Sequence, residues 1–231
     1  MRVGHSSDHD RRIAEMFDRV SPRYDRLNRV LSFGTDRSWR RRAIALARLA
    51  PSERAVDVGA GTGDLTFALA RASAPDSQVI AADLSRGMIE VARRRGPLLA
   101  VIASAESLPF ADRSLDRVIT GFTVRNVGDL PLALREFRRV LRPGGRAVIL
   151  ELSHPRGPLF PALYRFYFER LAPRLAALLG GDAEAYRYLP RSLKPFPRPD
   201  ALAQLLLDAG FARVRFERLT LGIAAIHVAD A

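Results

Sequence analysis

The sequence predicts an α/β fold built on an open, mostly parallel sheet, and three observations lead to it. Short apolar runs typical of buried strands alternate with amphipathic segments of helical period through the middle of the chain. A glycine-rich turn follows the first apolar run. About 20 residues further on, another apolar run ends in the carboxylate of Asp83. Together they indicate a Rossmann-like sheet with a nucleotide-type ligand at the carboxyl ends of its strands.

Residues 1–50 are predicted to form an N-terminal helical lid. Apolar residues recur with helical spacing from Arg11 to about Tyr24. Asp36 is predicted to be the N-cap of an amphipathic helix that continues to Leu49. Because these helices precede the glycine-rich turn, we expect them to close over the ligand.

Residues 51–152 are predicted to form the ligand-binding core. The predicted strands are residues 55–58, 79–83, 98–102, 115–119 and 147–152. Ser85 is expected to cap the helix after the second strand, and residues 142–145 are expected to form a turn into the fifth. Strands that alternate with helices are joined by right-handed crossovers in a parallel sheet.

Residues 153–199 interrupt this alternation with a proline-rich, aromatic segment. The segment follows strand five and is therefore expected at the ligand-binding edge. We interpret it as a helical cap over an apolar substrate, with a packed helical pair as the alternative. Residues 200–231 are predicted to return to the core as a helix ended by Gly210 and a hairpin of two closing strands.

The glycine-rich turn indicates which ligand is bound. Gly59 and Gly61 allow a sharp turn and a close approach of the ligand to the backbone. A dinucleotide fingerprint would carry a third glycine where Asp64 stands, and an acid at a helix start repels pyrophosphate. S-adenosylmethionine (SAM) has a sulfonium and no phosphate, so it is favoured over NAD or FAD. Asp83 is expected to accept both ribose hydroxyls, and Asp57 to hold the turn and a water near the methionine amine.

The composition limits which kinds of catalysis the protein can perform and which cellular compartment is expected. The absence of cysteine excludes disulfides and thiolate catalysis, and no close His/Asp/Glu cluster predicts a metal. No apolar run approaches a membrane span and the N-terminus is polar, so a cytoplasmic location is expected. The net charge of +12 rests almost wholly on arginine, since Lys194 is the one lysine. We interpret this charge as mostly solvated surface, with a weak indication of phospholipid contact.

Several motifs resemble the ubiquinone/menaquinone biosynthesis C-methyltransferase family. They are Met16-Phe-Asp18, Tyr24-Asp25, Leu31-Ser-Phe-Gly34, Leu108-Pro-Phe110, Arg125-Asn-Val127, Arg142-Pro-Gly-Gly145 and Tyr188-Leu-Pro190. The glycine turn alone is typical of any class I SAM-dependent methyltransferase. The resemblance runs from about residue 12 to the C-terminus and is carried most specifically by the Arg125-Asn126 pair with the N-terminal and insert motifs.

This resemblance implies a seven-stranded class I methyltransferase sheet whose last strand is antiparallel. It implies SAM contacts at the positions Thr62, Asp83, Ser104, Ala105 and Gly121. It also implies C-methylation of a lipid-soluble polyprenylated quinol, with demethylmenaquinol favoured over a ubiquinone precursor. We therefore expect transient contact with the inner face of the membrane and no nucleic-acid partner, and leave a homodimer open. The sequence departs from the family pattern at Gly121, where serine is common.

Candidate catalytic residues follow the fourth and fifth strands. A quinol carbon becomes nucleophilic when a hydroxyl loses its proton, so the enzyme needs a base or a group that stabilises the phenolate. Arg125 could stabilise the phenolate or position a water, and Tyr24 and Asn126 could orient the ring. His154 is a candidate general base, with a plain surface histidine as the alternative. An O-methyltransferase of another small aromatic, an RNA methyltransferase and a non-catalytic SAM-binding partner stay open as rival functions.

Overall fold

The computed structural model describes residues 8–21, 34–155 and 191–231 of the chain, together with Gly157 and Arg170. The predictions for Tyr24 and for most of the aromatic insert lie outside the described residues.

A seven-stranded sheet runs through the protein. Its strands are β1 (Arg54–Val58), β2 (Gln78–Asp83), β3 (Leu99–Ile102), β4 (Leu115–Gly121), β5 (Leu141–Leu152), β6 (Arg213–Leu219) and β7 (Ala224–Asp230). The strand order is β3-β2-β1-β4-β5-β7-β6, and β7 runs antiparallel to both of its neighbours while the other pairs are parallel. The predicted fold class, a mostly parallel Rossmann-like sheet with an antiparallel last strand, is confirmed.

The helices of the described chain cover both faces of this sheet. They are α1 (Asp8–Val20), α2 (Asp36–Ala47), α3 (Asp64–Ala72), α4 (Arg86–Arg95), α5 (Leu130–Val140) and α6 (Pro199–Asp208). The sequence marks two of the starts. The Ser85 hydroxyl accepts from the Met88 N–H at 3.0 Å, and the Asp129 carboxylate accepts from the Leu132 N–H at 2.9 Å. The predicted cap at Ser85 is therefore confirmed.

Two apolar layers hold the helices on the sheet. On one face, Trp39 of α2 and Leu65 of α3 pack with Leu150 of β5. On the other, Phe137 of α5 packs with Leu206 of α6, and both side chains are fully buried. Because both faces are covered, the central strands appear in the sequence as nearly continuous apolar runs rather than as alternating ones.

Two predicted boundaries are wrong. Residues 142–145 lie within β5, which begins at Leu141 and pairs there with Leu115 before the register shifts. A side chain on Gly145 would come within 3.1 Å of the Asp116 carbonyl, so glycine lets this irregular strand stay close to β4. Asp36 is also not the N-cap of α2; Thr35 occupies that position, and Asp36 pairs with Arg40 one turn further on at 3.6 Å.

The order of the strands reverses between β1 and β4, which are neighbours in the sheet although two strands separate them in sequence. Crevices at such a switch point bind ligands in open α/β sheets. Over the described ranges, no helix has the length and apolar character that crossing a bilayer requires.

Candidate active site

A cleft with about 850 Å³ of empty space, including its open mouth, lies at the carboxyl ends of β1, β2 and β4. Its walls are the glycine turn after β1, the ends of β2 and β3, one side of α1 and the turn formed by residues 122–127, which we call the β4 turn. The lining residues that the sequence predicted are Gly59, Gly61, Thr62, Asp83, Ser104, Ala105, Gly121 and Asn126. The fold thus brings together segments that are far apart in the sequence.

The glycine turn has a backbone that only glycine fits at its first position. Gly59 has φ +70°, and a Cβ there would lie 2.6 Å from the Thr123 Cβ and nearer still to the rest of that side chain. Gly61 has φ +56° but open space around its missing Cβ. Gly59 therefore permits the contact between the glycine turn and the β4 turn, while Gly61 leaves room on the cleft side for a ligand.

Asp83 joins the glycine turn to the start of α4. One carboxylate oxygen accepts from the Gly61 N–H at 2.7 Å and the other from the Ser85 N–H at 2.8 Å. Burial raises the pKa of Asp83 to about 6, against the lowering effect of these backbone hydrogen bonds. A carboxylate has about four lone-pair sites, so each oxygen of Asp83 can accept a further bond from a ribose hydroxyl.

Asp57 lies behind the glycine turn rather than in the cleft wall. Its side chain is fully buried and accepts from the Thr66 hydroxyl at 2.6 Å. Its Oδ1 has no hydrogen-bond partner within the described part of the chain. Burial raises the pKa of Asp57 to about 7, although the Thr66 bond and the charge of Arg40 lower it. An unsatisfied buried carboxylate oxygen fits a bound water or a cationic ligand group, as a SAM site would require.

The negative charge of Asp64 is partly compensated by a neighbouring arginine, which the sequence analysis did not predict. Its carboxylate pairs with the Arg95 guanidinium at 2.6 Å, and Arg95 also donates to the Thr62 carbonyl at 2.8 Å. The repulsion of phosphate by Asp64 is therefore partly cancelled. The cleft remains acidic, because its described lining contains the carboxylates of Asp10, Asp64 and Asp83 but only one guanidinium, that of Arg40. This balance fits a cationic ligand.

Helix α1 lies against the cleft, and hydrogen bonds near both of its ends hold it to the rest of the protein. Near its start, the His9 Nε2–H donates to the Asn126 carbonyl at 2.9 Å. Near its end, the Asp18 carboxylate accepts from the Ser85 hydroxyl and from the Gly87 N–H, the latter at 2.9 Å. Between these points, Asp10, Ile13, Ala14 and Phe17 line the cleft. The sequence did not single out His9 or Asp18 as fastening residues, because their partners are distant in the chain.

The predicted catalytic residues do not all reach the cleft. Asn126 lines it, and its side chain is buried. Arg125 is not one of the described lining residues; its guanidinium forms an ion pair with Glu151 at 2.6 Å. His154 is also not a described lining residue, and burial followed by the charge of Arg198 lowers its pKa. Tyr24 lies outside the described residues.

No group of three or more His, Cys, Asp or Glu side chains suited to a metal ion occurs in the described ranges. The described lining of the cleft offers carboxylates, the Arg40 guanidinium, hydroxyl groups, the Asn126 amide and the apolar residues of α1.

The comparison with protein families decides the class. A model of the ubiE/COQ5 methyltransferase family matches residues 5–230. This chain belongs to the ubiE/COQ5 methyltransferase family. The predicted family, the methyltransferase activity and SAM as the cofactor are confirmed.

Individual members of the family are similar over almost the whole chain. A demethylmenaquinone methyltransferase of Thermus thermophilus is 46% identical over 220 residues, which cover 93% of this chain and 99% of that protein. A ubiquinone/menaquinone biosynthesis C-methyltransferase UbiE of Geotalea daltonii is 42% identical over 226 residues, 95% of this chain and 96% of that protein. The similarity thus includes the N-terminal helices and the insert.

Solved structures agree in fold. A SAM-dependent methyltransferase of Thermotoga maritima has a TM-score of 0.67 at 22% identity and covers 94% of this chain and 98% of that chain. The [4+2]-cyclase SpnF has a TM-score of 0.68 at 19% identity and covers 94% of each chain. A cyclase and a methyltransferase on one fold illustrate why the fold alone does not identify the reaction.

For this family member, the predicted cofactor residues form one site in space. Seven of the eight line the cleft and Asp57 lies directly behind the glycine turn. Besides His9 and Asp18, the charged residues at or behind the cleft to which the sequence analysis gave no role are Asp10, Arg40, Arg95 and Glu151. A charged residue inside a buried strand was the one available signal for Glu151, since the sequence places it within the apolar run of β5.

Proposed function

We propose that this protein transfers a methyl group from SAM to a ring carbon of a polyprenylated quinol, converting demethylmenaquinol to menaquinol. The observation that carries the proposal is the full-length similarity to the demethylmenaquinone methyltransferase of Thermus thermophilus. That similarity spans the N-terminal helices and the insert, which are the parts of the chain expected to contact the acceptor rather than the cofactor.

The cleft supports the cofactor half of the proposal. We assign the ribose hydroxyls to the Asp83 carboxylate and the close backbone approach to Gly59 and Gly61. Asp57, whose Oδ1 has no hydrogen-bond partner among the described residues, would hold a water toward the methionine amine. Thr62, Ser104, Ala105 and Gly121 would complete the walls around the nucleoside.

The donor supplies an electrophilic methyl group: the ring-carbon–methyl bond forms as the sulfur–methyl bond breaks, the sulfur keeps that electron pair, and the ring proton is released. The protein must exclude water from this transfer and hold the ring carbon in line with the methyl group. Ile13 and Phe17 of α1 supply apolar cover on one side of the cleft.

On the acceptor side we propose the β4 turn as the group that orients the quinol. Asn126 lines the cleft with an unpaired amide oxygen in the described part of the chain, and a quinol hydroxyl could donate to it. Tyr24 and His154 remain candidates for orienting the ring and for accepting its proton. Burial, followed by the charge of Arg198, lowers the pKa of His154 and so favours its neutral form, the form that accepts a proton.

A labelling assay tests the proposal. Purified protein is incubated with methyl-labelled SAM and one of three acceptors: demethylmenaquinol, a small catechol, or RNA. Label in menaquinol is the expected result. Label in the catechol or in RNA would replace the proposal with an O-methyltransferase or an RNA methyltransferase. SAM binding without any transfer would favour a non-catalytic partner protein.

A second candidate has its own support, because relatives such as the Geotalea daltonii protein carry names for both ubiquinone and menaquinone biosynthesis. On that reading the enzyme also methylates the quinol precursor of ubiquinone. Mass spectrometry of quinones from a strain that lacks this gene separates the two. Demethylmenaquinone alone accumulates under the first proposal, and both precursors accumulate under the second.

We further propose that the protein works in the cytoplasm and contacts the inner face of the membrane transiently to reach its lipid-soluble acceptor. Co-sedimentation with anionic vesicles that carry demethylmenaquinol is expected to exceed co-sedimentation with neutral vesicles, because the chain has a net charge of +12. Equal binding to both vesicles would contradict the electrostatic part of this proposal.

A further inference from the structure

Glu151 is a buried carboxylate near the carboxyl end of β5, with a side chain that is 2% exposed. Its Oε1 accepts from the Arg125 guanidinium at 2.6 Å and from the Leu152 N–H at 2.7 Å. Its Oε2 accepts from the Arg125 backbone N–H at 3.2 Å. A charge buried this deeply requires such compensation, and most of it comes from one residue of the β4 turn.

Arg125 connects this carboxylate to the conformation of the β4 turn. Its guanidinium is 4% exposed, and the nitrogen that meets Glu151 also donates to the Phe122 carbonyl at 2.6 Å. Phe122 has φ +64°, a left-handed conformation that residues with a side chain rarely adopt. The ion pair therefore stabilises a turn whose backbone is locally unfavourable.

The same turn forms one wall of the cleft. Phe122, Thr123, Asn126 and Val127 all line it. Asn126 donates weakly from its Nδ2 to the Phe122 carbonyl at 3.4 Å, and no partner for its Oδ1 is found within the described ranges. The Oδ1 of Asn126 is therefore the polar atom of the β4 turn that can accept a hydrogen bond from a hydroxyl group of the acceptor.

We infer that Glu151 is a positioning residue for methyl transfer: it fixes Arg125, and through Arg125 it fixes the β4 turn that presents Asn126 to the acceptor. The inference rests on the proposed function. Because the Arg125 and Glu151 charges cancel at 2.6 Å, a phenolate in the cleft would experience a small dipole rather than a full positive charge. Arg125 then acts by holding the turn rather than by touching the acceptor.

Glu151→Gln tests this inference because it keeps the size and the acceptor oxygen of the side chain but removes the charge. We expect kcat for demethylmenaquinol to fall at least about tenfold, as is common when reacting groups lose their alignment. The Kd for SAM, measured by calorimetry, should stay within about twofold, because no cofactor residue contacts Glu151 in the described chain. Glu151→Asp, which restores the charge, should recover part of kcat.

The control is Glu217→Gln on β6. Glu217 forms a two-bond ion pair with Arg42, at 2.7 and 2.8 Å, but both side chains are substantially exposed and neither lines the cleft. This variant should match the wild type in kcat and in SAM affinity. If Glu151→Gln does not fold, the same kcat and Kd measurements on Glu151→Asp decide the matter, with kcat expected below the wild-type value at unchanged Kd.

The double variant Arg125→Gln/Glu151→Gln examines whether the two residues act as one unit. Its loss of kcat should be no greater than that of the worse single variant, whereas independent roles would multiply the two losses. Multiplied losses, a wild-type kcat for Glu151→Gln, or an equal loss of SAM affinity would each overturn the inference. The wild-type rate is measured first. If the wild type does not methylate demethylmenaquinol, the proposed function is overturned rather than this inference, and the variants are then compared on the acceptor that the wild type does methylate.

Discussion

The hydroxyl of Thr123 donates to the carbonyl of Gly59 at 3.3 Å and occupies the space that a side chain at position 59 would need. This contact joins the glycine turn, which we assign to the cofactor, to the β4 turn, which we assign to the acceptor. The proposed cofactor-binding and acceptor-binding parts of the cleft are therefore in direct contact at Gly59.

Gly59→Ala is expected to damage both turns at once. The added methyl group meets Thr123 and the alanine must hold φ +70°, so the free energy of unfolding should fall by about 1–3 kcal/mol. The Kd for SAM should rise at least about tenfold because the turn must move. Chemical denaturation and calorimetry measure the two effects.

Gly121→Ala is the matched control for Gly59→Ala. A Cβ on Gly121 would lie 3.4 Å from Leu65 and 3.5 Å from Arg40, which are ordinary contact distances, and its φ is not left-handed. This variant should keep near wild-type stability. Equal damage from both substitutions would contradict the assigned importance of the Gly59–Thr123 contact.

Asp83 should make SAM binding depend on pH. Its ionised form accepts ribose hydroxyls best, and burial raises its pKa to about 6, so SAM affinity should fall roughly tenfold as the pH is lowered from 7 to 5. Asp57, whose pKa is raised to about 7, contributes in the same direction. Asp83→Asn should weaken binding about 10- to 100-fold and flatten the profile.

Stability without the cofactor should change in the opposite sense. A carboxyl whose pKa is raised on folding favours the neutral form, so its contribution to stability declines as the pH rises from about 4 through about 6. The difference in unfolding free energy between the wild type and Asp83→Asn, followed across this range, isolates that contribution. A difference that stays constant with pH would show that Asp83 does not titrate as argued.

The Asp18 carboxylate should control release of the product cofactor. It caps the start of α4 from α1, and its removal should loosen α1 by about 0.5–2 kcal/mol. S-adenosylhomocysteine should then dissociate roughly 2- to 30-fold faster from Asp18→Ala, as measured by stopped-flow fluorescence. Glu15→Ala, a change on the exposed side of the same helix, should leave the rate unaltered.

The Arg125–Glu151 pair should also be visible in stability. Glu151→Ala leaves a buried guanidinium without its counter-ion and should lower the free energy of unfolding by about 3–5 kcal/mol. Glu217→Ala removes an exposed pair and should cost at most about 1 kcal/mol. Urea denaturation of the two variants compares them directly, and equal losses would mean that burial does not set the value of these pairs.

Much of the fold and of the candidate cofactor site was predictable because its signals are local. Strands and helices are recognised by the different spacing of their apolar residues. The glycines at 59 and 61 indicate a turn and the carboxylate at 83 indicates the end of a strand, and both lie within one βαβ unit. Seven of the eight residues predicted to bind the cofactor therefore line one cleft at the switch point between β1 and β4, whereas Arg125 and His154 are not among its described lining residues.

The sequence by itself determined the sheet, the glycine turn and the class of cofactor. The tertiary structure alone decided that Arg95 pairs with Asp64, that Glu151 holds Arg125 from 26 residues away and that Asp18 caps α4 from 69 residues before Gly87. The reason is physical. The periodicity that predicts a helix or strand lies within a single segment of the sequence. The partner of a charged side chain, in contrast, depends on which segments the folded sheet places next to each other.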